Sequence, residues 1–210
     1  MAEPYLTVSG FTEHEIEVRR SRFVCAIAPV AGEKEAAEFV AARRKAHHGA
    51  RHHCTAYVIG GDRLLQRADD DGEPSGTAGL PMLEVLNRRG IADTIAVVTR
   101  YFGGILLGAG GLARAYGGAV TETLDRAGLV TMVPARVMTV RVGHAQAGRL
   151  ENDLRAGGHA VRGVTYGADV AAEVGVEAGR TEEFTAWVAA ATAGQATISP
   201  GPLVYVPSPE

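Results

Sequence analysis

The residues best suited to chemistry lie in a glycine-rich segment, RYFGGILLGAGGLARAY, at positions 100–116. Glycines let backbone amides approach a ligand closely. A helix beginning near Gly110 would direct its free N–H groups and the positive end of its dipole at an anion. Arginines at both ends could add charge-assisted bonds to a phosphate. The pattern predicts an anion-binding loop made of Arg100, Gly103, Gly104, Gly108, Gly110, Gly111 and Arg114.

The glycine-rich segment does not match the common nucleotide-binding motifs. A Walker A loop requires Gly-Lys followed by Ser or Thr, whereas Gly108 is followed by Ala-Gly. The hexapeptide GAGGLA fits G-x-G-x-x-A, but the preceding strand ends too early and no acidic residue closes the following strand. The alternative to ligand binding is a flexible turn followed by close helix packing, and both interpretations stay open.

A second candidate is the stretch RRKAHHGARHHC at 43–54, which is dense in arginine and histidine. His52 and Cys54 would share one face of a strand and could join His47 or His48 around a metal, although no compact ligand-pair spacing supports this. Alternatively, the cations and imidazoles form a basic surface for phosphate, or simply the C-terminal end of a helix. We assign Arg51 and His52 to the anion-binding surface and predict no metal site.

The acidic stretch DDDGEPSGTAG at 69–79 has three interpretations. Its aspartates lack the twelve-residue frame of an EF-hand, and its hydroxyls lack the G-x-S-x-G frame of a nucleophile. Asp-Gly and Glu-Pro favour turns, and Ser75 or Thr77 is suited to capping the helix that follows. The structural interpretation is therefore favoured, and we predict no catalytic residue. The residues concerned are Asp70, Asp71, Gly72, Glu73, Pro74, Ser75, Gly76 and Thr77.

Composition excludes several classes of protein. The net charge is −3 and the sequence pI about 6.2, which argues against a globally basic nucleic-acid binder. Two cysteines are too few for a disulfide framework. Neither a signal peptide nor an apolar run long enough to span a membrane is visible. We expect a cytoplasmic protein that does not bind membranes and uses no cofactor.

The pattern of elements predicts two α+β domains. Alternating and apolar runs predict strands, whereas capped amphipathic stretches predict helices, one of them ending with Gly90 at its C′ position. In the first half we expect strands at 12–19, 22–29, 53–61 and 93–102, with helices at 33–48, 81–90 and 111–128.

After Pro134 the pattern becomes strand, helix, strand, strand, helix, strand, which is the order of a ferredoxin-like unit. The strands are expected at 135–144, 159–167, 168–177 and 196–206, and the helices at 145–158 and 181–194. The predicted domains are therefore 1–133 and 134–210.

Four motifs together resemble the signature blocks of the YigZ/IMPACT family. They are SRF, HHGARHHCTAY, DDGEPSGTAGLPML and VVTRYFGGILLGAGGLARAY, and they occur in the order found in that family. The C-terminal half resembles the small domain appended in bacterial YigZ members. The resemblance implies an N-terminal domain similar to domain IV of EF-G, to RNase PH and to GHMP kinases. It implies a C-terminal domain similar to domain V of EF-G.

The family resemblance implies a function in translation but no agreed enzymatic reaction. Eukaryotic members are translational regulators that act by protein–protein contact and oppose activation of an amino-acid-starvation kinase. We therefore favour a non-enzymatic regulator that binds structured RNA, or a ribosome-associated surface, through the glycine-rich loop. The alternatives are a metal-dependent hydrolase or phosphotransferase, with a divalent ion in the acidic loop, and a regulator that binds only a protein partner such as a translation factor.

Overall fold

The computed structural model describes residues 3–61 and 65–208 of the chain. Tyr5–Thr131 form one compact unit, and a second unit begins at Met132. Helices and strands are substantial in both units, so the predicted α+β class is confirmed. No helix within the described ranges combines the length and the apolar character needed to cross a bilayer.

A five-stranded antiparallel sheet and three helices make up most of the first unit. In chain order the elements are β1 (Tyr5–Val8), β2 (Thr12–Val18), β3 (Ser21–Pro29), α1 (Glu33–Ala46), β4 (His52–Ile59), β5 (Leu65–Asp69), α2 (Gly79–Arg88), β6 (Thr94–Tyr101) and α3 (Ala109–Leu124). The sheet order is β2-β3-β6-β4-β5. Helix α1 packs on Ala28 and Ile95, whereas α3 packs on Phe23. Since Ala28 and Phe23 point to opposite faces of β3, the sheet is covered on both sides.

The central strand β6 is apolar because both of its faces are covered. Ile95, Ala96, Val97 and Val98 are all 0% exposed, as expected for a strand buried between helices. The register then places Phe23, Arg100 and His52 side by side across three strands. A charged side chain therefore enters the end of a strand whose residues 95–98 are all apolar and fully buried.

The second unit is a ferredoxin-like βαββαβ fold, which confirms the prediction. Its elements are β7 (Leu129–Val142), α4 (His144–Ala156), β8 (Ala160–Tyr166), β9 (Val170–Glu177), a 3-10 turn (Ala178–Arg180), α5 (Thr181–Ala191) and β10 (Thr197–Pro207). The strands lie in the order β10-β7-β9-β8. Apolar residues of α4 and α5, including Leu154 and Val188, close the core on one face of this sheet.

Strand β7 continues through Pro134, where the sequence analysis began a new strand. Pro134 pairs with Tyr205 of β10, and the ladder to β9 begins only at Ala135. The missing N–H of proline therefore costs no bond to β9. Strand β1 also pairs with β7, whose first residues belong to the same unit as β1.

Candidate functional site

The glycine-rich loop, residues 102–108, is anchored at its base by Gly103. The Gly103 N–H donates to Ser21 Oγ at 3.2 Å. A Cβ at this position would lie 2.0 Å from the carbonyl carbon and oxygen of Arg20. No side chain fits there, so glycine is required for the loop to lie against the turn between β2 and β3.

Beyond its base, the loop turns away from the core and exposes apolar side chains. Gly104 and Gly108 have φ values of +84° and +71°, a left-handed conformation that favours glycine. Between them Leu106 is 81% exposed, and Phe102 before them is 56% exposed. A short loop that exposes apolar side chains to solvent is a candidate binding surface.

Helix α3 begins directly after this loop and presents its N-terminus without a side-chain cap. Its first intrahelical bond runs from Leu112 N–H to the Gly108 carbonyl, which leaves the N–H groups of the first turn without helical partners. The guanidinium of the exposed Arg114 lies over this turn, since its Nη1 is 3.6 Å from where a Cβ on Gly110 would be. Gly110 and Arg114 thus lie close together, while Gly111 packs against Leu107.

Two arginines that the sequence analysis did not assign to the site border the loop. Arg19 and Arg20 form the two-residue turn between β2 and β3, with φ values of +49° and +64°. Such turns usually carry Asn-Gly, because left-handed conformations cost other residues energy. Both side chains are exposed, and Arg19 Nη1 donates to the Leu106 carbonyl at 3.4 Å. The sequence feature that could have identified these two arginines is a tight turn between two strands that contains no glycine.

Arg100 occupies a different environment from the one predicted, and its role must be corrected. Its side chain is only 7% exposed, and Nη1 donates to Glu73 Oε1 at 2.7 Å. The guanidinium is 5.5 Å from the ring centres of Phe23 and Phe102. Because a buried guanidinium paired with a carboxylate is not available to an external phosphate, Arg100 supports the loop from beneath.

Glu73 connects the acidic loop to both β6 and α3. The Tyr116 hydroxyl of α3 donates to the same Glu73 Oε1 at 2.7 Å. Burial, together with nearby Cys54 and Glu73, raises the pKa of Tyr116, so the hydroxyl stays a donor. The side chains of Glu73, Arg100 and Tyr116, called the buried triad below, therefore join the acidic loop to the base of the glycine-rich loop.

Asp70, not Ser75 or Thr77, holds the start of α2. Its Oδ1 accepts the N–H groups of Ala78 and Gly79 at 3.0 and 2.8 Å, and its Oδ2 accepts that of Gly76 at 2.7 Å. The Thr77 hydroxyl instead donates to the Pro74 carbonyl. Burial acts to raise the pKa of Asp70, but the three N–H bonds outweigh it and hold this pKa below 3.8.

Replacing Asp70 by alanine is expected to destabilise the protein by about 2 kcal/mol at neutral pH, because three backbone donors lose their acceptor. The folded-state pKa of Asp70 lies below 3.8, so its contribution is present above pH 3.8 and is lost as the pH falls through the folded value. Urea unfolding at several pH values should show the difference shrinking in acid. Glu84→Ala, at an exposed site on α2, should show no such trend, and a pH-independent difference for Asp70→Ala would contradict the assignment.

Part of the predicted basic cluster, residues 43–54, is hydrogen-bonded to the acidic loop, residues 69–79. Asp71 accepts Arg44 Nη2 and the His53 backbone N–H, both at 2.6 Å. His52 Nδ1 donates to the Asp71 carbonyl at 2.9 Å, whereas Arg51 is exposed to solvent. The three predicted carboxylates Asp70, Asp71 and Glu73 thus all accept bonds from protein donors.

The metal interpretation of the histidine cluster is not supported by the geometry. His47 contacts Arg43 and Tyr101, and Cys54 Sγ donates to the Asp70 carbonyl at 3.0 Å. Within residues 3–61 and 65–208, no three His, Cys, Asp or Glu side chains are grouped as metal ligands. Burial raises the thiol pKa of both Cys25 and Cys54 to about 12, so neither cysteine is a reactive thiolate.

Comparisons with known proteins cover nearly the whole chain. Residues 19–124 match the Impact N-terminal domain, and residues 140–195 match a domain of unknown function, DUF1949. The IMPACT family member YvyE of Bacillus subtilis (strain 168) is 46% identical over 98% of this chain and 95% of its own length. The IMPACT family member YigZ of Escherichia coli (strain K12) is 39% identical over 82% and 86%.

One solved structure agrees with these sequence matches. A crystal structure of a hypothetical protein superposes with a TM-score of 0.72 at 36% identity, covering 94% of this chain and 97% of that one. The glycine-rich loop and the buried triad both fall inside the matched N-terminal domain. The chain therefore belongs to the IMPACT family.

Proposed function

We propose that this protein is a translation-related regulator that binds structured RNA through the glycine-rich loop, as a non-enzymatic module. The observation that supports this most is the placement of Arg19, Arg20 and Arg114 around a loop whose base is fixed and whose apolar tip is exposed. Rigid support beneath an exposed apolar tip that arginines border is the arrangement expected of a recognition surface.

Phosphate groups would bind at the start of α3. The free N–H groups of the first turn and the guanidinium of Arg114 point to the same region, and both favour an anion. With a net charge of −3 for the whole chain, affinity must come from this local patch. Binding is therefore expected to depend on the shape of the RNA and to be weak on a uniform duplex.

An unpaired base would bind on Phe102. One side of this ring faces the Arg100 guanidinium at 5.5 Å, and the ring is nevertheless 56% exposed. Single-stranded loops and bulges in RNA present unstacked bases that stack on aromatic side chains. Phe102 and Arg114 together thus fit an RNA loop better than a continuous helix.

The double substitution Arg19→Asn with Arg20→Gly separates binding from stability. Asn-Gly suits a turn with two positive φ values, so the protein should gain about 1 kcal/mol of stability. RNA affinity should fall about tenfold, and the slope of log K against log salt should decrease by about 2, because two phosphate contacts are lost. Affinity measured by fluorescence anisotropy over a salt series tests this.

Arg114→Ala should likewise lower the salt slope, by about 1. Arg88→Ala, which removes an exposed arginine at the end of α2, is the matched control and should change neither affinity nor slope. RNA binding that is indifferent to salt and to the changes at Arg19, Arg20 and Arg114 would overturn the proposed surface.

A second candidate, a regulator that binds only protein, is favoured by the 81% exposure of Leu106. A leucine at the tip of a loop contributes to protein interfaces by burial rather than by charge. Leu106→Ser would then abolish capture of a partner that survives nuclease treatment, while the three arginine changes would have little effect. The two candidates are thus distinguished by which set of side chains controls binding.

A further inference from the structure

The second unit contains a cavity of about 470 Å³ that lies outside the glycine-rich loop and its supports. It is bordered by α5, by the turn between α4 and β8, and by the ends of β9 and β10. Its volume is within the range of small-molecule sites, which is about 300–1,000 Å³.

One wall of the cavity is aromatic. Trp187 and Phe184 are stacked with ring centres 6.2 Å apart and planes 23° apart, and His159 lies 4.9 Å from Trp187 and 5.1 Å from Phe184. The His159 ring is tilted by 56° from Trp187 and by 77° from Phe184, so this side of the cavity is aromatic but not flat.

Other parts of the lining carry almost no side chain. Gly157, Gly158 and Gly175 line the cavity together with Ala160. At Gly175 a Cβ would lie 2.8 Å from Cγ1 of Val206, so a larger residue would push into the lining. The space beside the aromatic wall therefore exists because these positions are small, and a flat ligand can approach the rings from that side.

The rim of the cavity carries charges of both signs. Glu177 is half-buried at the end of β9, and Arg180 is exposed nearby. Arg180 donates to both oxygens of Glu183 at 3.0 and 3.1 Å. Exposed ion pairs contribute little free energy, so Arg180 can exchange this carboxylate for a ligand anion at small cost.

We propose that this cavity binds a nucleotide. The base lies against Trp187 and His159, its amino edge donates to the Glu177 carboxylate, and its phosphate binds Arg180. A ligand that matches both the aromatic wall and the charged rim has three features. These are a flat ring, hydrogen-bond donors at the edge of that ring, and an attached anion. Guanine suits Glu177 best because its two adjacent N–H donors match a carboxylate, whereas uracil has no amino group.

The chain contains a single tryptophan, Trp187, so its fluorescence reports directly on the proposed site. Titrating the full-length protein with GMP, AMP, CMP and UMP should give saturable quenching, strongest with GMP and at least tenfold weaker with UMP. Glu177→Gln should raise the dissociation constant for GMP about tenfold, because the charge and one acceptor are lost. Glu173→Gln on the same strand lies outside the cavity and should leave the constant unchanged.

The nucleotide is either a free metabolite or one residue of an RNA, and the titration distinguishes them. Quenching by GMP itself supports a free ligand, whereas quenching by a short guanine-containing oligonucleotide but not by GMP supports a base within RNA. The absence of saturable quenching by any of these, equal affinity for GMP and UMP, or an unchanged constant in Glu177→Gln would overturn the proposal. The Arg19, Arg20 and Arg114 variants should leave this titration unaffected, so it is independent of the loop surface.

Discussion

Replacing Glu73 by alanine is expected to destabilise the first unit by about 3–5 kcal/mol, because the buried Arg100 guanidinium loses its only carboxylate partner among the described contacts. Tyr116 loses its acceptor in the same substitution. Amide hydrogen exchange in β6, whose residues 95–98 are fully buried, should accelerate by a hundredfold or more, since each 1.4 kcal/mol corresponds to about a factor of ten.

The first unit contains a matched control for this experiment. Glu15 and Arg22 are likewise an ion pair and share two hydrogen bonds, at 2.8 and 2.7 Å, but their side chains are 41% and 53% exposed. Glu15→Ala should therefore cost less than about 1 kcal/mol. If both substitutions cost the same, burial does not set the strength of the buried triad. A double replacement, Glu73→Leu with Arg100→Met, should recover much of the lost stability because no charge is left unpaired.

Gly103→Ala is the second substitution with a large expected effect. The new Cβ would overlap the Arg20 carbonyl, so either the glycine-rich loop or the turn between β2 and β3 must move. We expect a loss of about 3 kcal/mol or more in the free energy of unfolding. RNA binding should also fall, because the displaced loop no longer keeps the Leu106 carbonyl in contact with Arg19.

Gly118→Ala is the control for this change. Gly118 lies in the interior of α3, and a Cβ there would meet nothing within 4 Å. Alanine favours helix over glycine by up to about 1 kcal/mol, so this variant should be slightly more stable and bind RNA normally. Equal behaviour of the two variants in unfolding and binding assays would show that the close approach at Gly103 does not position the loop.

Elements with strong periodicity were predictable from the sequence, and weakly patterned ones were not. The apolar run of β6 and the whole βαββαβ order were predicted because burial imposes a regular pattern on both. Strand β5 was missed because its sequence, LQRAD, lies at a sheet edge and is mostly exposed. Strand β1, with only four residues, was missed because it is too short to show a period.

The partners of the candidate site could not be deduced because they are distant in sequence. Arg100 and Glu73 are 27 residues apart, and no local rule joins them; Arg100 was therefore expected to bind phosphate. The cap of α2 was assigned to the neighbouring Ser75 or Thr77, whereas Asp70 reaches forward over nine residues to Gly79. Rules based on neighbouring residues identify a cap beside the helix. The folded loop instead brings an acceptor from further along the chain to the N-terminus of the helix.

The two cysteines and the tryptophan give each unit a native reporter. Cys25 and Cys54 are completely buried in the first unit, and the pKa of each thiol is raised to about 12 by burial. A thiol reagent can modify them only when that unit opens, so the rate of labelling measures the opening of that unit. Trp187 gives an optical signal from the second unit. The wild-type chain thus allows the opening of each unit to be followed separately in one sample.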